Sequence, residues 1–265
     1  MHATVNGFRM NFAVEGPESA PSVVLHHPLA TDLSIWDELT AALKPRYRVV
    51  RFDARGQGAS EATPAPYDFA TLAADTVALM DHLKIARAHY LGLSMGGMVG
   101  QILGVDHAQR FASLILCSTT SRMPPETHAL WEERAKVVRE KGMASQVQLA
   151  LSRWLAAASM KNPELVARMT HYIETSPVEG YAGWCLAIRD LNVTDRLKAI
   201  KLPTLVIVGA EDPSTPPAAA QVIHREIAGS EYVEVPGVSH QLHVEDPATF
   251  NQNVLAFLGR QPPIG

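Results

Sequence analysis

The stretch Tyr90-Leu91-Gly92-Leu93-Ser94-Met95-Gly96-Gly97 closes an apolar run that begins at Ala88 and precedes a helix-compatible run, Met98 to Val105. It contains Gly-x-Ser-x-Gly at the junction of an expected strand and an expected helix, the context of a nucleophile elbow. The glycines answer a steric demand. A serine on so tight a turn needs neighbours without side chains two positions before and two after it, where backbones crowd, and Gly92 and Gly96 stand there. The bland alternative is a glycine-rich strand-to-helix turn whose serine merely caps the helix.

Outward from this elbow, strands and helices alternate. Toward the N-terminus, Thr4-Val5 and Arg9 to Val14 flank the type I′ turn signal Asn6-Gly7. Ser22 to His26 and Tyr47 to Phe52 read as strands buried on both faces. Between them Leu33 to Leu43 has helical spacing, with Asp32 as its N-cap, and a further helix spans about Asp68 to Leu83. A strand at Ser113 to Cys117 continues the βαβ pattern of a mostly parallel sheet. From Thr119 to Asp195 only helical periodicity remains, over Trp131 to Val138, Ala144 to Ala157, Pro163 to Thr175 and Gly180 to Asp190. Three of the four tryptophans, Trp131, Trp154 and Trp184, fall in this segment. Strand character returns at Pro203 to Val208 and Glu231 to Val235, each followed by a loop and a helix, near Ala218 to Ile227 and at Asp246 to Leu258. The pattern predicts a sheet core of residues 1–118 and 196–265 with a helical cap, 119–195, inserted over its catalytic edge.

Composition narrows the class. With 265 residues, 47% apolar and 19% charged, the chain fits a compact protein rather than a disordered or fibrous one. A net charge of -4 without long like-charge runs leaves no footprint for nucleic acid or an anionic membrane. The start has no apolar signal region, and no apolar stretch approaches the roughly 18 residues of a membrane span, so a cytoplasmic location is expected. The two cysteines, Cys117 and Cys185, are far apart and fit small buried hydrophobes better than a disulfide or a zinc site. No metal or organic cofactor is called for, and self-association is left open.

A serine hydroxyl becomes a nucleophile only beside a base that a third group orients. Candidates belong on loops leaving the carboxyl ends of strands, and for this strand-turn-helix arrangement the chain order is serine, acid, histidine. Asp212 follows Leu205-Val206-Ile207-Val208-Gly209 and His240 follows the strand ending at Val235. The catalytic candidates are therefore Ser94, Asp212 and His240, with Glu211, His243 and His224 as the alternatives for acid and base. Acyl transfer also needs donors for an oxyanion. The Met95 amide directly after the serine is one, and Leu29 in the loop His26-His27-Pro28-Leu29-Ala30 is the other, because Pro28 has no N–H.

With those residues in place the chain resembles the α/β-hydrolase superfamily over its whole length, and within it the 3-oxoadipate enol-lactone hydrolases. The similar core segments are Thr31 to Asp37, Asp53-Ala54-Arg55-Gly56-Gln57-Gly58-Ala59-Ser60, Gly92 to Gly97 and Asp212 to Pro217. Inside the cap, Trp131-Glu132-Glu133-Arg134, Glu179-Gly180-Tyr181 and Ile188-Arg189-Asp190 are similar too. Five positions depart from the pattern: the loop His27-Pro28-Leu29-Ala30 stands for Asn-Ser-Leu-Gly and shares only its leucine, His243 stands for an asparagine and Gln57 for a histidine. The resemblance implies hydrolysis of a small-molecule lactone carrying a free carboxylate. Arg134 could pair with that carboxylate. Its neighbours three and four residues away, Leu130, Trp131, Val137 and Val138, are all apolar, which sets it on a buried helix face, although a snorkelling stem would give the same pattern. The substrate-contact candidates are Trp131, Arg134, Trp154, His27 and His243. A carboxylesterase or lactonase of other substrate range is the main alternative, and a relative that binds small molecules without turnover is a third.

Overall fold

Runs such as Val23-Val24-Leu25 and Leu114-Ile115-Leu116 are apolar on both sides of the pleat, which suits strands covered on both faces. The computed structural model describes residues 1–262 and 264, and in it eight strands join in one sheet. They are β1 (His2–Val5), β2 (Phe8–Glu15), β3 (Ser22–His26), β4 (Arg48–Phe52), β5 (Ala88–Leu93), β6 (Phe111–Cys117), β7 (Thr204–Gly209) and β8 (Glu231–Val235). Their order is β1-β2-β4-β3-β5-β6-β7-β8. The β1/β2 and β2/β4 pairs are antiparallel and all the others parallel. Asn6 and Gly7 have φ of 45° and 82°, as a type I′ turn requires.

The helices are α1 (Asp37–Leu43), α2 (Phe69–His82), α3 (Met95–Asp106), α4 (His128–Lys141), α5 (Val147–Trp154), α6 (Pro163–Thr175), α7 (Val178–Arg189), α8 (Pro217–Glu226), α9 (Leu242–Glu245) and α10 (Pro247–Gly259). Asp32 caps its helix as expected, accepting from Ser34 N at 2.8 Å, and Asp68, expected as the first helical residue, instead caps α2 by accepting from Thr71 N at 2.9 Å. The stretch Leu33 to Leu43 is split, opening with a 3₁₀ turn before α1. Four helices, α4 to α7, lie between β6 and β7 in the chain with no strand of the sheet among them. Surface pairs Arg139 with Glu179 (3.0 Å) and Arg189 with Glu132 (2.8 Å) tie α4 to α7. Trp184 on α7 is fully buried and donates to the Arg55 carbonyl at 2.8 Å, so it packs these helices onto the core. Beneath that contact Arg55 holds Asp75 bidentately, at 2.6 and 2.8 Å. Both cysteines are free and buried. No helix among the described residues is long and apolar enough to cross a membrane.

One expected helix is shorter than its periodicity. Ala144 to Ala157 resolves into a 3₁₀ turn, Met143–Gln146, and α5, which ends at Trp154 with Leu155 extended. The reason is tertiary competition for carbonyls. The Arg153 carbonyl accepts from the Ser214 and Ser239 hydroxyls, at 3.3 and 3.4 Å, and the Trp154 carbonyl from Gln241 N at 3.0 Å.

Candidate active site

Ser94 sits at the carboxyl end of β5 with φ 53° and ψ -112°, a conformation few non-glycine residues adopt. The strain is held by close packing. A Cβ on Gly92 would collide with the Gly96 carbonyl, and one on Gly96 with the His26 carbonyl at the end of β3. Ser94 N donates to the Cys117 carbonyl at 2.9 Å, and its own carbonyl accepts from the Thr119 hydroxyl at 2.8 Å. The turn thus presents the Ser94 side chain above the sheet at the first turn of α3.

Asp212 and His240 leave the ends of β7 and β8 and meet at 2.8 Å, Nδ1 to Oδ2. Both are buried, 3% exposed each. Asp212 also accepts from Ser214 N (2.8 Å), Thr215 N (3.0 Å) and the Thr215 hydroxyl (2.8 Å). Burial alone would raise its carboxyl pKa, but the His240 ring and these donors together hold it below the usual carboxylate value. His240 and Ser94 line the same cavity, although no hydrogen bond joins Ser94 Oγ to the ring among the described residues. Such contacts commonly tighten only with substrate bound.

The cavity lies between the carboxyl edge of the sheet and the helices α4 to α7. Its floor carries Leu29, Ser94, Met98 and His240, and its roof comes from α4 to α7, including Trp131, Arg134, Trp154 and Tyr181. No aspartate or glutamate lines it, whereas two arginines do, Arg134 and Arg153. Arg134 lies over the Trp131 ring at 4.6 Å. The N–H groups of Leu29 and Met95 donate to no acceptor among the described residues.

Two expected contacts are corrected. His27 is fully buried away from the cavity: its Nε2 accepts from Ala54 N at 2.9 Å, and its Nδ1 bonds the Pro28 carbonyl at 2.7 Å. It braces the Leu29 loop from behind. His243 is likewise outside the cavity, because α9 turns it toward Trp36 (4.7 Å) and Phe250 (5.9 Å), where neither ring nitrogen has a hydrogen-bond partner. Burial first, then Arg168 and His240, push its pKa down to about 3.

Other roles escaped the sequence. Gln57 accepts from Ala30 N at 3.0 Å and so orders the loop that carries Leu29. Glu245 accepts from Ser239 N (2.8 Å) and Ala156 N (2.7 Å), joining the His240 loop to the end of α5. Neither signal is local, since Gln57 meets Ala30 across 27 residues and Glu245 meets Ala156 across 89. Arg153 was within reach: Leu149, Ala150, Ala156 and Ala157, three and four residues away, are as apolar as the neighbours that single out Arg134.

Residues 21–247 match the family model for the α/β-hydrolase fold. The chain belongs to the α/β-hydrolase family. This α/β hydrolase is 36% identical over 258 residues to 3-oxoadipate enol-lactonase 2 from Acinetobacter baylyi, covering 97% of this chain and 96% of that one. It superposes on the crystal structure of the enol-lactonase from Burkholderia xenovorans LB400 with a TM-score of 0.94 at 38% identity, over 98% of this chain and 100% of that one. A thermophilic esterase from Thermogutta terrifontis, solved with malate bound, superposes with a TM-score of 0.93 at 28% identity over 98% of each chain.

Proposed function

We propose that this hydrolase opens a carboxylate-bearing enol-lactone, of the kind named in its relatives, through an acyl-enzyme on Ser94. The observation that carries the reading is one cavity in which Ser94 and His240, backed by Asp212, share the lining with Arg134 and no carboxylate. Ser94 Oγ attacks the lactone carbonyl while His240 takes its proton, with Asp212 holding the imidazole by Nδ1. The oxyanion accepts from the Leu29 and Met95 amides. Collapse breaks the ring C–O bond, and His240 gives its proton to the departing oxygen. In an enol-lactone that oxygen leaves as an enol and becomes a ketone, which makes ring opening hard to reverse. Water activated by His240 then frees the acyl group. Residues 119–195 act as the cap, with Trp131 and Trp154 as apolar walls and Arg134 as the partner of the substrate carboxylate.

A carboxylesterase of wider range is the second reading, supported by the esterase relative and by the apolar floor of Leu29 and Met98. Turnover of 3-oxoadipate enol-lactone, an uncharged lactone and p-nitrophenyl acetate by wild type and Ser94→Ala separates the readings. The lactonase requires loss of all activity in Ser94→Ala and a wild-type preference for the carboxylated lactone. Equal use of charged and uncharged substrates favours the esterase, and turnover unaffected by Ser94→Ala removes the serine mechanism.

A further inference from the structure

Arg153, on the last turn of α5, has no role in the mechanism above, yet it lines the same cavity as Arg134. Arg51, Arg55, Arg110 and Arg189 each meet a carboxylate within salt-bridge distance. Arg134 and Arg153 meet none among the described residues. The Trp131 ring is the neighbour of Arg134, and the one hydrogen bond recorded for the Arg153 side chain runs from Nε to the Ser214 hydroxyl at 3.4 Å. Neither terminal nitrogen of Arg153 has a hydrogen-bond or salt-bridge partner among the described residues, and the cavity that Arg153 lines holds no carboxylate. Two half-buried like charges repel across low-dielectric space, and an anion seated between them turns that repulsion into attraction for both. The pKa of Arg153 is lowered, first by burial and then by Arg134, while Asp212 draws it back up, so the group is within electrostatic reach of both the distal cation and the acid loop. Its backbone is anchored as well, since the Arg153 carbonyl accepts from the Ser214 and Ser239 hydroxyls. The guanidinium is therefore presented from a rigid base.

We infer that Arg153 is a second specificity-determining residue, forming with Arg134 a two-guanidinium clamp that takes one carboxylate of the substrate between them. The inference rests on the carboxylated-lactone reading and deepens it: one planar carboxylate offers an oxygen to each fork, so the position of the anion, and with it the distance from anion to scissile carbonyl, is selected.

Steady-state kinetics of wild type, Arg134→Met, Arg153→Met, the double variant and Arg153→Lys on 3-oxoadipate enol-lactone and on an uncharged lactone test the clamp, with thermal melts verifying folding. Expected for Arg153→Met is a loss of kcat/KM on the charged lactone about 10–100-fold larger than on the uncharged one, carried mainly by KM. Arg153→Lys should recover part of it, and the double variant should lose far less than the product of the single losses. Equal losses on both lactones, or losses that simply multiply, overturn the clamp while leaving the lactonase standing. A wild type indifferent to the carboxylate removes the lactonase reading and the clamp together. Should Arg153→Met not fold, Arg153→Lys and Arg153→Gln carry the same comparison.

Discussion

Gln57 shows how much of the site depends on residues that do no chemistry. Its side-chain carbonyl receives the Ala30 amide at 3.0 Å, and its own amide group donates to the Gly56 carbonyl at 3.0 Å. Ala30 has φ 57°, so the loop is held in a left-handed turn next to Leu29, whose N–H has no acceptor among the described residues. Gln57→Leu should leave the buried Ala30 N–H without an acceptor, a cost of about 1–3 kcal/mol that a partly displaced loop would relieve. The expected result is a roughly tenfold lower kcat with KM little changed, because only oxyanion stabilisation is weakened. A variant with wild-type kcat would show that the loop holds its shape without Gln57. The placing of Ser94, Asp212 and His240 on the turns and loops that leave β5, β7 and β8 was legible in the sequence, because each follows a strand readable from its residues and the chain order of the three is restrictive. His27 and His243 were misjudged because chain proximity to the site says nothing about which way a side chain points.

At the level of elements, the decisive contact joins the end of α5 to the two loops that carry Asp212 and His240. Glu245 spans it with one oxygen on Ser239 N and the other on Ala156 N. Glu245→Ala should lower unfolding free energy by about 1–3 kcal/mol, since two amides lose a charge-assisted acceptor that is only partly replaced by water. Hydrogen exchange at Ala156 and Ser239 should quicken together, and kcat should fall as His240 loses its anchored loop. Exchange unchanged at both amides would mean that other bonds hold the junction. The same junction explains why α5 stops at Trp154, whereas its apolar spacing runs on to Ala157. Periodicity reports which face is buried; it is blind to a remote hydroxyl that claims a helix carbonyl. Gly180 is a parallel case. A Cβ there would overlap the Gly56 carbonyl, so α7 can rest on the Gly56-Gln57-Gly58 loop only through a glycine.

Across the whole molecule, four buried histidines stay neutral. Burial lowers the pKa of each: His26 (helped by His27), His27 (opposed by Asp53), His89 (to about 4, helped by Arg87) and His243 (to about 3, helped by Arg168 and His240). Folded values below the ordinary 6.5 mean that the unfolded chain binds protons that the native state refuses once the pH drops past 6.5. The stability they leave intact is complete above that value and declines as pH falls. Each histidine adds a slope of about 1.4 kcal/mol per pH unit down to its folded pKa, and His243 alone amounts to roughly 4–5 kcal/mol by pH 3. Urea unfolding should therefore give a free energy flat near pH 7–8 and falling steeply below 6.5. His243→Phe, which can pack between Trp36 and Phe250, should reduce the slope by one histidine's share; an unchanged slope would show that His243 takes up its proton without unfolding.

The residues by themselves determined the alternation of buried strands and helices, the helical insert between β6 and β7, and the serine, acid and histidine at strand ends, because period, length and chain order are local properties of the chain. Only the tertiary structure decided that Arg153 joins Arg134 on the cavity wall, that His27 and His243 turn away from it, and that Gln57 and Glu245 order the loops around it. Those outcomes depend on which remote backbone groups need partners and which faces meet once the sheet is closed over by helices, and neither quantity is written in the spacing of residues along one element.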